Sequence, residues 1–283
     1  MRGGSQASYR RSRFRFARRF AALATLPASS PSSELVDLDA GVFMDIAFTR
    51  KTMASVLKML VERQEDAPFA YVVTPNVDHV VRLQRVRSDL WPVYRSAWAT
   101  LCDSKILAIL ARGMGVVLPV IPGSDLTQQI FEQTIRPADK VAIIGGNAEL
   151  VAGIADRYGL QNVHHYDPPM GFIKDPAEVA QAVRFVVETR ARYCFMAVGS
   201  PQQEILAYRV KQAGGACGIG FCVGASLDFL TGVQKRAPRF MRVLAIEWLH
   251  RLLSDPARMW RRYLYDGPGI FQIARDWKRD ARP

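Results

Sequence analysis

Four stretches of the chain pair an apolar run with polar residues able to hold or activate a ligand: Thr74 with Asn76, Asp103, Gly145 with Gly146, and Ser200 with Gln203. Each follows strand-forming residues, in FAYVVT, ATLCD, KVAIIGG and YCFMAVGS. If those runs are parallel strands, the polar groups all stand at one edge of a sheet, where open α/β sheets bind their ligands. The convergence carries the argument.

Asp103, at a strand tip before Ser104, suits a general base that deprotonates a hydroxyl nucleophile, above all if burial raises its pKa. Its competing role is N-cap of the helix that starts at Lys105. Thr74 and Asn76 can bond a sugar or phosphate, or serve as turn and cap residues around Pro75. Gly145-Gly146-Asn147 lets backbone approach a phosphate. It is not a full G-x-G-x-x-G, no acidic residue stands at the ribose-binding distance, and a tight turn without ligand explains it equally. Ser200 is placed to cap the next helix, with Pro201 at its first position and Gln203 and Glu204 in its first turn. That helix start offers N–H groups to an anion, and Gln202 and Gln203 can meet nucleotide or sugar hydroxyls. The histidines show no metal spacing or nucleophile partner, and of them only His79 falls near this edge.

The elements that must position these groups alternate. Strand-like runs cover 69–74, 99–103, 140–146, 162–166, 193–198 and 215–223, separated by helices of about ten or more residues. A helix from about Asp78 is expected to turn Val80, Val81 and Leu83 inward and Arg82, Arg85 and Arg87 outward. Ser124 is expected to cap a helix begun at Asp125, Gly159 to end the helix after Asn147, and Asp175 to cap one started by Pro176. The pattern predicts an α/β fold: a Rossmann-like, mostly parallel sheet with helices on both faces and a basic helical appendage.

With 283 residues, 49% of them hydrophobic, the chain can bury a sizeable core. A net charge of +12 calls for an anionic partner: nucleic acid, a lipid surface or a phosphorylated substrate. Cys102, Cys194, Cys217 and Cys222 all lie in apolar segments without metal-ligand spacing, so buried free thiols in a reducing compartment are expected. No apolar run reaches the roughly 18 to 20 residues of a spanning helix, which implies a soluble or peripheral protein.

The chain divides into residues 1–40, a disordered basic leader; 41–234, the α/β core; and 235–283, a basic, aromatic-rich helical appendage. In the appendage Arg236, Arg239, Arg242, Arg251, Arg258, Arg261 and Arg262 are suited to a pyrophosphate, since guanidinium groups bind phosphate oxygens bidentately. Trp248, Trp260, Tyr263 and Tyr265 suit a membrane interface. The alternatives are a solvated basic face on a packed helix pair, a basic nucleic-acid-binding module on an α/β scaffold, and a soluble nucleotide-dependent enzyme without a lipid partner.

Taken together, VVTPNVDHVVRL, LCDSKILAILARGMG, IPGSDL, VAIIGGN, VGSPQQE, GASLDFLTGVQKRAPRFMRVLAIEWLHRLL and DPARMWRRYL resemble the WecG/TagA/CpsF family of bacterial glycosyltransferases, in collinear order from about residue 41 onward. The resemblance implies inverting transfer of a hexosyl or N-acetylhexosaminyl group from a UDP-sugar to a polyprenyl-diphosphate-linked saccharide, in cell-surface polysaccharide synthesis. It implies no cofactor and no essential metal. It also implies a peripheral place on the cytoplasmic face of the inner membrane, with an anionic membrane surface as partner, nucleic acid excluded and homo-oligomerisation open. By position, Asp103 matches the family's candidate base and Thr74 and Asn76 its T-x-N motif. Gln203 matches the glutamine of its G-S-P-K-Q-E turn, in which Gln202 replaces Lys. The C-terminal arginines match the appendage thought to close over the site and hold the lipid diphosphate. Ser104 stands where the family has Gly, and Val120 where an arginine is frequent. The first change alters backbone freedom beside the base, and the second removes a phosphate or sugar contact.

Overall fold

The computed structural model describes residues 39–232, 252–253, 256–260 and 267–280. The expected leader therefore lies outside the described residues except at its end, where Ala40 already opens a strand.

The apolar runs do become strands. After the hairpin β1 (Ala40–Phe43) and β2 (Ile46–Thr49) come β3 (Ala70–Val73), β4 (Ala99–Thr100), β5 (Val141–Ile144), β6 (Val163–Tyr166), β7 (Tyr193–Met196) and β8 (Ile219–Cys222). The last six form one sheet in the order β4-β3-β8-β7-β5-β6, and every pairing in it is parallel. Val73 lies opposite Cys222, Cys222 opposite Met196, and Met196 opposite Ile144. Four neighbouring strands thus end level, and the loops after them start side by side.

The helices between strands are α1 (Met53–Glu62), α2 (Val77–Arg85), α3 (Trp91–Arg95), α4 (Lys105–Arg112), α5 (Gly123–Gln133), α6 (Ala148–Tyr158), α7 (Pro176–Thr189) and α8 (Gln202–Ala213). They cover both faces, as parallel strands buried on both sides require. On one face Val80 and Leu83 of α2, Val186 of α7 and Leu206 and Val210 of α8 share a cluster with Phe43 and Phe48 of the hairpin. On the other, Leu57 and Leu60 of α1, Leu126 and Ile130 of α5 and Ile154 of α6 pack together. A line of aromatic rings crosses this second face: Phe131 to Phe195 at 4.7 Å and Phe195 to Phe221 at 5.2 Å between centroids. All four cysteines are buried and free, as expected.

In the C-terminal region, α9 (Pro256–Trp260) and α10 (Gly269–Asp280) are described. Helix α10 buries Ile270 and Ala274 in the cluster of the first face. Its Gln272 Oε1 accepts a 2.7 Å hydrogen bond from Arg85 on α2, and Trp277 meets Phe43 edge-on at 5.4 Å. Among the described residues no helix is long and apolar enough to cross a membrane.

The cap at Asp175, the helix opening after Asn147 and the left-handed Gly159 (φ 62°) follow the sequence expectation; Asn147 is in addition the N-cap of α6. Ser124 does not follow it: α5 starts two residues earlier than expected, at Gly123, with Pro122 as N-cap and no side-chain cap bond. Absent from the sequence expectation is the β1–β2 hairpin. Its loop is Met44-Asp45, both left-handed at φ 51° and 64°, the geometry of a two-residue turn that ordinarily calls on Asn or Gly. The hairpin is held from outside the turn, by burial of Met44 and by Gln84 Nε2 donating to Met44 O at 2.7 Å.

Phe195 is fully buried at the centre of the aromatic line. Phe195→Ala should cost about 3–5 kcal/mol, read as a lowered urea midpoint with unchanged slope.

Candidate active site

Because the strands are parallel and end level, Thr74, Asp103, Gly145, Ser200 and Gly224 all belong to loops on the same sheet edge. Within it, β5 leads to α6 on one face while its neighbour β7 leads to α8 on the other. Chains that leave adjacent strands toward opposite faces open a crevice between them, the switch point at which open α/β sheets take ligands. Its walls are the Gly145-Gly146 and Gly199-Ser200 turns. Gly145 is required there by space as well as by its φ of 86°: a Cβ would lie 2.9 Å from the Ala197 carbonyl oxygen. Gly146 continues the turn at φ 75°, and its carbonyl faces His165 Nε2 at 3.1 Å.

Asp103 is half-buried at the end of the β4 segment, and its backbone N–H donates to Pro75 O at 3.1 Å. The N-cap of α4 is Ser104, whose hydroxyl accepts from Leu107 N at 3.3 Å. The role that competed for Asp103 in the sequence therefore belongs to its neighbour. Below it, burial pushes the Cys102 thiol up to about 12, with the Asp103 charge adding to the rise. Cys102 bridges in parallel to Val120, which sets Val120 opposite the residue that precedes Asp103.

Thr74 is buried, with its hydroxyl 3.4 Å from Cys222 O. Gly123, the first residue of α5, presses on it, since a Cβ there would stand 2.9 Å from Thr74 Oγ1. Asn76 is the N-cap of α2: its Oδ1 accepts from Asp78 N at 3.1 Å and faces His79 Nδ1 at 2.7 Å.

The Ser200–Pro201 bond is cis, and α8 begins at Gln202 with Pro201 as N-cap and no side-chain cap bond. This corrects two expectations: Ser200 does not cap α8, and Pro201 is not its first helical residue. Instead the Ser200 hydroxyl accepts a 2.6 Å hydrogen bond from Arg82 Nη2. Arg82, expected to face outward, turns in and pairs also with Asp78 at 3.5 Å. Gln203 is buried, not exposed at the helix start: its Oε1 accepts from Gly224 N at 2.8 Å and its Nε2 donates to Glu204 Oε1 at 3.0 Å.

Glu204 is the residue that sequence reasoning passed over as an ordinary first-turn acid. It is 1% exposed, and His79 Nε2 lies 3.6 Å from its Oε1. Burial by itself would raise its pKa; the His79 and Gln203 contacts outweigh that and hold the carboxyl below its ordinary value of 4.5. The readable signal was His79 itself, three residues after Asn76, in the place where a capping box carries its returning side chain.

The helices at this edge divide into capped and uncapped. Side chains of Asn76, Ser104 and Asn147 cap α2, α4 and α6, whereas α5 and α8 begin with no side-chain cap. At α8 the Gln203 N–H already donates to Gly199 O at 3.0 Å, and both uncapped starts carry an acid in their first turn, Asp125 in α5 and Glu204 in α8. Of the arginines expected to join the site, Arg236, Arg239, Arg251, Arg261 and Arg262 lie outside the described residues. Arg258 belongs to α9, with its side chain outside them. Among the described residues no group of three or more His, Cys, Asp or Glu side chains is arranged to hold a metal ion.

A carboxyl held below its ordinary value stabilises the fold above the unfolded-state pKa and loses that contribution as pH falls through the lower folded value. Wild type should therefore lose stability faster than Glu204→Gln as pH drops below about 4.5, in urea midpoints taken stepwise from neutral to acid pH. Parallel curves would show that Glu204 is not the titrating group.

An N-acetylglucosaminyldiphosphoundecaprenol N-acetyl-beta-D-mannosaminyltransferase of Bacillus spizizenii is 28% identical over 191 residues, 62% of this chain and 71% of that protein. The glycosyl transferase WecG/TagA/CpsF family matches residues 42–282, which take in the whole sheet, the crevice and the arginine-rich region. The chain belongs to the WecG/TagA/CpsF family of glycosyltransferases.

Proposed function

We propose that the protein transfers an N-acetylmannosamine-type hexosyl group, with inversion, from a UDP-sugar to a polyprenyl-diphosphate-linked saccharide. The activity for which the Bacillus spizizenii relative is named supports the sugar and acceptor class. The observation that carries the catalytic assignment is the division of labour at β4, where Ser104 caps the helix and Asp103 stands half-buried at the ligand edge.

In this reading the Asp103 carboxylate takes the proton of the acceptor hydroxyl, whose oxygen bonds to the anomeric carbon. The bond from that carbon to the UDP oxygen breaks, and UDP leaves with the electron pair. The diphosphate lies over the crevice between the Gly145-Gly146 and Gly199-Ser200 turns, where the start of α8 faces its charge. Thr74, Asn76 and Gln203 shape the donor pocket, chiefly by fixing the loops that bear them. The arginines Arg236, Arg239, Arg251, Arg258, Arg261 and Arg262 bind the acceptor's diphosphate and the anionic membrane surface, with the protein peripheral on the cytoplasmic face and without a metal.

With a panel of UDP-sugars and a short-chain lipid-diphosphate N-acetylglucosamine, product masses should show one added N-acetylhexosamine. Asp103→Asn should lower kcat by at least about 100-fold while calorimetry still records binding of the UDP-sugar. Normal turnover by Asp103→Asn would remove Asp103 from the base role.

A further inference from the structure

Beneath the crevice an unbroken chain of polar contacts runs through residues to which the reaction gives no chemical step. Asn76 Oδ1 is oriented by the helix N–H groups it accepts, at 3.1 and 3.5 Å, and lies 2.7 Å from His79 Nδ1, which the Asn76 backbone N–H also meets at 3.4 Å. The other ring nitrogen faces Glu204 Oε1 at 3.6 Å. The same oxygen accepts from Gln203 Nε2 at 3.0 Å, and Gln203 Oε1 accepts from the Gly224 amide at 2.8 Å. The path joins the loop after β3, the turn after β7 and the loop after β8, which are the adjacent central strands. One turn further along α2, Arg82 takes hold of the Ser200 hydroxyl at 2.6 Å. Two side chains on one face of α2 therefore grip the β7–α8 turn at both of its ends.

Stability alone does not account for this arrangement. Glu204 Oε2 is buried without a hydrogen-bond partner, and a buried carboxylate satisfied through one oxygen costs free energy that an apolar residue of similar size would not. What the chain of contacts supplies is a fixed spacing between three ligand-edge loops. A misplacement of about 1 Å at a reacting centre can cost about 100-fold in rate.

We propose that His79 and Glu204 are positioning residues that set the loops after β3, β7 and β8 as one unit, so that a donor held at the Gly199-Ser200 turn is aligned with the base at the β4 edge. The kinetic part of this inference rests on the transfer reaction proposed above; the coupling of the loops does not.

Two conservative variants cut the chain at different links. His79→Asn places a polar atom where Nδ1 stands and keeps the contact to Asn76; His79→Gln places one where Nε2 stands and keeps the contact to Glu204. Each should fold, and each should lower kcat for sugar transfer about tenfold or more while the donor KM moves less than about threefold. Adding Glu204→Gln to His79→Asn should bring no further loss, because residues acting as a unit are not additive. Amide hydrogen exchange at Gly224 should quicken several-fold in His79→Asn, although Asn76 remains a cap and no direct partner of Gly224 is altered. Full activity in either His79 variant, multiplied losses in the double variant, or unchanged exchange at Gly224 would each overturn the unit. A wild-type protein that transfers nothing would sink the proposed reaction instead, and the exchange measurement would still decide the coupling.

Discussion

The constraint on which the rest depends is that the central strands β3, β8, β7 and β5 run parallel and end in register. Parallel strands demand crossovers, crossovers deposit helices on both faces, and a sheet covered on both faces leaves polar chemistry only its two ends. At the end where helices begin, partial positive charge accumulates from unpaired N–H groups. An anionic ligand is thus favoured at that end, where Thr74, Asp103, Gly145 and Ser200 stand.

Charge at that edge is arranged by depth. Near the surface, α5 and α8 begin without side-chain caps while α2, α4 and α6 satisfy their own starts. Deeper, Glu204 and His79 form an interior pair shielded from solvent. Asp103 lies between these layers, above a thiol that burial keeps protonated.

Much of this was legible before any coordinates. Runs such as VAII and YCFM could only be buried strands, and Asn147, Gly159 and Asp175 punctuate their helices as their residue types predict. What escaped was set by tertiary packing. Met44 and Asp45 form a left-handed turn that neither residue prefers, because the core takes the methionine side chain. Ser200, beside a proline and at a helix start, had the profile of a cap, but Arg82 reaches across from α2 and takes its hydroxyl. Gln203 and Glu204 look like exposed first-turn residues because sequence cannot show that this turn faces the interior. The neighbours that bury them are more than a hundred residues away or on another strand.

The edge-on contact between Phe43 and Trp277 joins the first described strand to the last described helix. Contacts of such sequence separation form late, since the loop they close carries its full entropic cost before any packing rewards it. During synthesis the hairpin and the outer side of α2 must therefore wait, uncovered, until helix α10 has left the ribosome. A nascent chain without α10 keeps that flank open, a species suited to capture by chaperones or to aggregation.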